Sequence, residues 1–317
     1  MIISDRTKGI GGSDAASACR KSKWRSPVDV YLEKIGEGEA IEDNEIMLAG
    51  RIHEEAVLSY YEYTTGNTLK LNEEWIDQAR GIAINPEYAS YLSHHEDEKV
   101  SKYEHFFKHP IYDYFYAHVD GITDSNIIVE SKFITNPVFS EWIDPVSSGY
   151  DNIGSIPLHY YYQIMFYLMV TGFHEAHLVA MIPSFSGPHR IYRFKRDIGF
   201  ILKMRLELKI FWLDNVSKRI PPTPMTRDEV KKLTPIPITD KYKEADIEEI
   251  TLCQDLLACT ESIKHLTKKK NDLQDKIASV INDGEGLKKT NESGKVITLA
   301  TYKASKAGKR TLRVRNG

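Results

Sequence analysis

The sequence predicts an α/β protein, with a central mixed β-sheet flanked by helices and a long helix and β-hairpin appended to it. Three observations carry this expectation. Across the first 220 residues, short β-branched and aromatic runs of strand length alternate with longer stretches of helical period. Five prolines (Pro221, Pro222, Pro224, Pro235, Pro237) then interrupt the pattern as a stiff linker over 221–240. Beyond them lies a long polar helix with an apolar heptad seam. The predicted domains are therefore 1–220, the linker 221–240, and an extension over 241–317.

Taken in order, residues 5–35 open with a glycine-rich turn and continue as a helical stretch. Ala49–Tyr63 reads as a helix whose apolar residues Ile52, Ala56, Tyr60 and Tyr63 recur at steps of three and four. Asn67–Glu74 reads as a strand, and the charged segment His94–His109 as a loop or short helix. Tyr112–His118 and Ile127–Phe133 read as a pair of strands joined by a turn at Thr123–Asn126. Asp144–Gly154 is a turn-rich segment suited to motion. Pro157–Thr171 reads as a buried helix ended by Gly172. Ala176–Ile182 and Arg190–Lys195 are strands joined by 183–189, and Ile198–Lys218 is a helix stopped before Pro221. In Asp246–Asn282 the seam runs Leu252, Leu256, Cys259, Ile263, Leu266, Lys270, Leu273, Ile277, Val280. It suits a partner chain or the protein's own body, and packing on its own body is the expectation. Val296–Tyr302 and Thr311–Arg315 form the expected terminal hairpin.

Composition narrows the function. At 317 residues and 41% hydrophobic the chain can bury a sizeable core. No apolar run reaches the roughly 18–20 residues of a membrane span, so no membrane partner is expected. The N-terminus does not read as a signal peptide. Cys19, Cys253 and Cys259 lack metal-ligand spacing, which fits a reducing cytoplasm. Net charge is −3, but residues 287–317 carry nine Lys/Arg against Glu292, leaving an acidic remainder. Such a tail either solubilises or meets phosphate; Lys306, Lys309, Arg310 and Arg313 are candidate DNA contacts.

The chemistry concentrates at Asp120-Gly121-x₈-Glu130-Ser131-Lys132. Strand alternation puts Glu130 and Lys132 on one face, and the turn at Thr123–Asn126 folds Asp120 back beside them. Two carboxylates and an ammonium at one point suit a divalent metal and a phosphodiester, with the Ser131 carbonyl as a further ligand. By spacing alone a solvated hairpin explains the pattern as well. The adjacent core strand Ile127–Val129 argues against that, because charges at a buried strand end need a partner. Gly50-Arg51-Ile52-His53-Glu54 opens a helix able to add His53 or Glu54. Arg6, Gly9, Gly11, Gly12 and Ser13 could form an anion nest, or an ordinary turn with Ser13 as helix cap. Gln163 is a polar side chain on an otherwise apolar helix. Two carboxylates could also serve a glycosidase, but that leaves Lys132 and the nest unexplained.

Taken together, these blocks resemble a phage-type exonuclease of the YqaJ/lambda-exonuclease group, in the PD-(D/E)xK superfamily. The matching blocks are Ile10–Ala16 with Arg6, Gly50-x₃-Glu54, Asp120-x₉-Glu130-x-Lys132 and Tyr162-Gln163. They span residues 5 to about 182. The resemblance implies a restriction-endonuclease-like core. It implies Mg²⁺, with Mn²⁺ as a substitute, on Asp120, Glu130 and the Ser131 carbonyl, with Glu54 or His53 joining them. Lys132 would act on the attacking water, Gln163 would complete the catalytic floor, and Arg6 and Ser13 would hold a 5′-phosphate. It further implies digestion of duplex DNA from 5′ ends, leaving 3′ overhangs for a single-strand annealing protein. A trimeric ring and a bacterial cytoplasm, with phage or prophage origin, complete the expectation. Val119 stands where many relatives have proline, and three cysteines exclude the iron–sulfur branch of the superfamily. An endonuclease on the same site and a DNA-end-binding scaffold are the alternatives.

Overall fold

The structure, a computed structural model, describes residues 6–38, 44–72, 102–134, 141–182, 189–236, 239, 241–305 and 308–315. Residues 73–74 of the expected strand, 94–101 of the charged segment and 183–188 of the connection lie outside them. The chain divides into two units, Met1–Pro237 and Ile238–Gly317.

In the first unit a 3₁₀ turn at Arg6–Lys8 leads into α1 (Gly12–Ala18) and α2 (Pro27–Lys34). The single helical stretch expected here is two helices, because Ser26 caps a new start with Pro27 in its first turn. Helix α3 (Glu45–Thr65) is capped by Asn44 and ends at left-handed Gly66. Its buried stripe is Val57, Leu58 and Tyr61, whereas Ile52 is 66% and Tyr63 89% exposed. The expected stripe is therefore on the wrong face. Both faces of this helix carry apolar residues, so its period alone could not choose between them.

Strands β1 (His105–Lys108), β2 (Tyr116–Val119), β3 (Gly121–Ile122) and β4 (Ile128–Phe133) follow. The expected partnership of Tyr112–His118 with Ile127–Phe133 is corrected: β2 pairs antiparallel with β1, and only β3 pairs with β4. His105–Lys108, expected in a loop or short helix, is thus a strand. Leu69 makes an isolated bridge to Thr123 rather than a strand. The turn closes as expected, through Asn126 N–H to the Thr123 carbonyl, with Asn126 left-handed (φ 61°).

Helix α4 (Leu158–Thr171), strands β5 (Glu175–Met181) and β6 (His189–Lys195), helix α5 (Ile198–Ile210) with a π-helical turn at Phe211–Val216, and helix α6 (Arg227–Leu233) complete the unit. The central sheet has the order β3-β4-β5-β6, with β4 and β5 parallel and the outer pairs antiparallel. Its two faces are covered differently. Ile128 and Leu178 pack in the main core with α1, α4 and α5, while Val129 and Val179 pack with Val57, Leu58 and Tyr61 of α3. Buried on most sides, α4 is apolar nearly all round. The turn-rich segment at 144–154 is held at Asp151, whose side chain accepts from the Val146 and Arg193 N–H groups. Within the predicted linker, α6 is a docked helix: Glu229 is buried and accepts from both the Arg20 guanidinium and Met225 N–H.

The second unit holds α7 (Ile247–Ile281) and the antiparallel strands β7 (Gly286–Thr290), β8 (Val296–Ala304) and β9 (Arg310–Val314). The expected two-stranded hairpin is a three-stranded meander. Lysine-rich Gly286–Thr290 supplies the extra strand, a composition that hides strand character. Within this unit the α7 seam is uncovered: Leu252, Leu256, Ile263, Leu266 and Val280 are all exposed.

Candidate active site

Asp120 stands where the chain leaves one strand partner for another. Val119 belongs to the ladder with β1, and Gly121 to the ladder with β4. Gly121 pairs with Val129, which sets Asp120 beside the next residues of β4. Its Oδ2 accepts from Ser131 N–H (2.7 Å) and Ser131 Oγ–H (2.9 Å). Glu130 and Lys132 share the α4-facing side of β4, and Lys132 Nζ donates to Glu130 Oε1. Gln163 on α4 donates from Nε2 to the same Oε1 (2.7 Å) and to the Tyr167 hydroxyl (2.7 Å). Lys132 Nζ also lies 5.5 Å from the Tyr160 ring centre.

Charge is crowded here. Burial, then the Asp120 charge, pushes the Glu130 carboxyl up to about 8. Burial, then Asp120, takes Glu54 up to about 9. Burial raises Asp120 as well. Although burial opposes it, the Lys132 ammonium is held protonated by Glu130 and Asp120. Three acids crowded beside one lysine are pushed toward their protonated forms, and a bound cation would favour their ionisation.

A divalent metal fits this arrangement in part. Glu130 Oε2 is buried with no hydrogen-bond partner among the described residues, a free acceptor at the centre of the cluster. No three His, Cys, Asp or Glu side chains among the described residues make a finished cage. Lys132 and Ser131 already engage one oxygen on each of the central carboxylates. Mg²⁺ suits such a partial set, since it keeps several waters and takes one or two protein carboxylates. His53 is turned elsewhere: its Nδ1–H donates to the Ala49 carbonyl (2.8 Å) and its ring stacks on Phe133 at 4.1 Å.

The glycine-rich turn supports the site from behind. A Cβ on Gly12 would stand 2.4 Å from Tyr167 Cε1, so glycine lets α1 close onto the tyrosine that Gln163 holds. The expected nest is partly spent. Ile10 N–H donates to the Tyr114 carbonyl, and Gly11 N–H to Asp14 Oδ2. Gly11, not Ser13, is the N-cap, and Ser13 is exposed in the first turn of α1. Asp14 is buried against Lys34 (2.7 Å) and Arg25 (3.3 Å). The Arg6 side chain lies outside the described residues.

Residues 3–174, more than half of the chain, match the family model of the YqaJ-like viral recombinase domain. The chain belongs to this family. The YqaJ-like domain thus contains α1 to α4 and the whole acid cluster. YqaJ of Bacillus subtilis (strain 168) is 24% identical over 293 residues, covering 89% of this chain and 77% of that one. Among solved structures, the alkaline exonuclease LHK-Exo from Laribacter hongkongensis matches with a TM-score of 0.46 at 16% identity, over 68% of this chain and 91% of that one. LHK-Exo in complex with dAMP matches with a TM-score of 0.45 at 15% identity, over 73% and 95%.

Sequence reasoning missed three neighbours of the YqaJ-like site. Glu104 adds its charge to Glu54 and Asp120, and accepts from His118. Tyr160 and His159 flank Lys132, and burial followed by the Lys132 charge lowers His159 to about 4. Only His159 and Tyr160 had a local signal, being one helical turn before Gln163. In the C-terminal unit, the candidate Arg310 clamps three backbone carbonyls. It donates to the carbonyls of Tyr302, Asn282 and Gly284 and lies over the Tyr302 ring. Lys309 and Arg313 are exposed, and Lys306 lies outside the described residues. Arg313 shares a concave face of about 780 Å³ with Lys288, Lys303 and Arg315.

Proposed function

We propose that this YqaJ-like protein is a metal-dependent exonuclease that hydrolyses duplex DNA from 5′ ends, leaving 3′ overhangs for a single-strand annealing protein. The observation that carries the proposal is the meeting of Asp120, Glu130 and Lys132 around the unpartnered Glu130 Oε2. In this reading Asp120, Glu130 and the Ser131 carbonyl would hold Mg²⁺, which would supply charge neutralisation at the scissile phosphate and activation of a water. Ser131 fixes Asp120 through two hydrogen bonds. Gln163 orients Glu130, and Lys132 donates to the attacking oxygen or the developing charge. Glu54 serves from the outer side of the cluster. His53, committed to Ala49, is the weaker metal candidate.

Arg6 and exposed Ser13 carry the 5′-phosphate in this proposal, and Lys309 and Arg313 contact DNA farther along. A singly end-labelled linear duplex tests the whole. In Mg²⁺ it should release 5′ mononucleotides, faster from a 5′-phosphate than from a 5′-hydroxyl. Glu130→Gln and Lys132→Ala should each lower the rate by at least about 100-fold. Equal cleavage of a closed circle would make the enzyme an endonuclease. DNA-end binding without any hydrolysis would make it a scaffold.

A further inference from the structure

Helix α7 is 35 residues long, about 52 Å at 1.5 Å per residue. Its seam from Leu252 to Val280 alternates steps of four and three with one polar interruption, Lys270. In heptad terms Leu256, Ile263, Lys270 and Ile277 hold the a positions, and Leu252, Cys259, Leu266, Leu273 and Val280 hold the d positions. Within its own unit this face is bare, with Leu256 69% and Ile263 64% exposed. Ile250 and Leu257 lie one row off the seam.

Charge says what covers it. The first half of α7 carries Glu248, Glu249, Asp255 and Glu261 against Lys264; the second carries Lys268, Lys269, Lys270 and Lys276 against Asp272 and Asp275. A parallel pair of copies would set acid against acid and base against base, with the two Lys270 ammoniums facing each other in the core. An antiparallel pair sets unlike halves together. It can place Leu256 against the partner's Leu273, Ile263 against the partner's Leu266, Ile277 against the partner's Leu252, and Lys270 against the partner's Cys259. The same register sets Asp255 beside the partner's Lys276 on the flanks. It also brings Ile247 level with the partner's Asn282, so the helices overlap end to end. Antiparallel registers one heptad away keep the same layers, and full overlap of the two helices selects this one.

We propose that α7 is a self-association element, pairing antiparallel with α7 of a second copy of this chain. The proposal is independent of the catalytic reading, and it can hold or fail in a protein that cuts nothing.

Disulfide trapping in the full-length chain tests it. In a Cys253→Ser background, Lys270→Cys should give a covalent dimer on mild oxidation with diamide, through the partner's Cys259. Adding Cys259→Ser should abolish the dimer, and adding Ile263→Glu should abolish it while the circular dichroism of the chain is unchanged. A Cys259–Cys259 dimer without Lys270→Cys would show parallel pairing and overturn the proposal. A Lys270→Cys dimer that survives Cys259→Ser would do the same. Failure to crosslink in every arm, with a light-scattering mass insensitive to Ile263→Glu, would assign the seam to the protein's own body and also overturn it.

Discussion

In the proposed mechanism the chemistry turns on Glu130, and the environment of this residue makes a prediction of its own. Its carboxyl is raised to about 8 against an ordinary value of 4.5. A raised acid favours the fold fully below its unfolded value, and that favour is lost as pH rises through the folded value. The metal-free protein should therefore lose stability between about pH 5 and pH 8, by up to a few kcal/mol. Thermal melts in EDTA would show this slope, and Glu130→Gln would flatten it. Adding Mg²⁺ should raise the melting temperature more at pH 8.5 than at pH 5.5, a binding readout that needs no DNA. Gln163 acts one step away, by holding Glu130 Oε1 and the Tyr167 hydroxyl. Gln163→Ala should lower the cleavage rate about ten-fold while the Mg²⁺-induced stabilisation persists, since orientation is lost but the ligands remain. Loss of that stabilisation would mean that the amide itself is needed for metal.

At the scale of elements, the site is a junction of a bent strand, a core strand and two helices. Strand β4 delivers Glu130 and Lys132 toward α4 and Ser131 toward Asp120; the change of partner between β2 and β3 delivers Asp120. Helix α4 faces the sheet with Tyr160, Gln163 and Tyr167, spaced at helical steps. The approach of α1 to α4 is set by Gly12, which has no room for a side chain. Gly12→Ala should cost about 1–3 kcal/mol of stability through overpacking. Because the strain falls on Tyr167, activity at a temperature where the variant is fully folded should fall as well. A variant destabilised but fully active when folded would separate α1 packing from the site.

For the whole molecule, charge is divided between an acidic first unit and a basic end of the second. Lys288, Lys303, Arg313 and Arg315 line one concave face of the terminal sheet, and Lys303 is paired with Glu285 (3.1 Å). If this face meets phosphate, replacing Arg313 and Arg315 by alanine should weaken DNA binding uniformly over sequences. The slope of log affinity against log salt should flatten by about one for each lost contact. An unchanged slope would leave the face as a solubilising surface. Arg310→Ala should behave differently, since its guanidinium ties three carbonyls: it should destabilise the C-terminal unit without a matching change in salt slope.

Local chemistry alone determined a good deal. The turn at Thr123–Asn126, the apolar α4 with its Gly172 stop and the alternation that pairs Glu130 with Lys132 rest on spacing and propensity, and all three are present. Partnerships between distant segments were not legible. That β2 pairs with β1 and hands over to β4 at Asp120, that Glu104 joins the acid cluster, and that α3 buries Val57, Leu58 and Tyr61 depend on long-range packing, which no local period encodes. The same holds for Arg310, whose three carbonyl partners no local pattern foretold. Sequence named the residues able to do chemistry, because residue type is local. Only the tertiary structure decided which of them share a site, because burial and proximity belong to the fold as a whole.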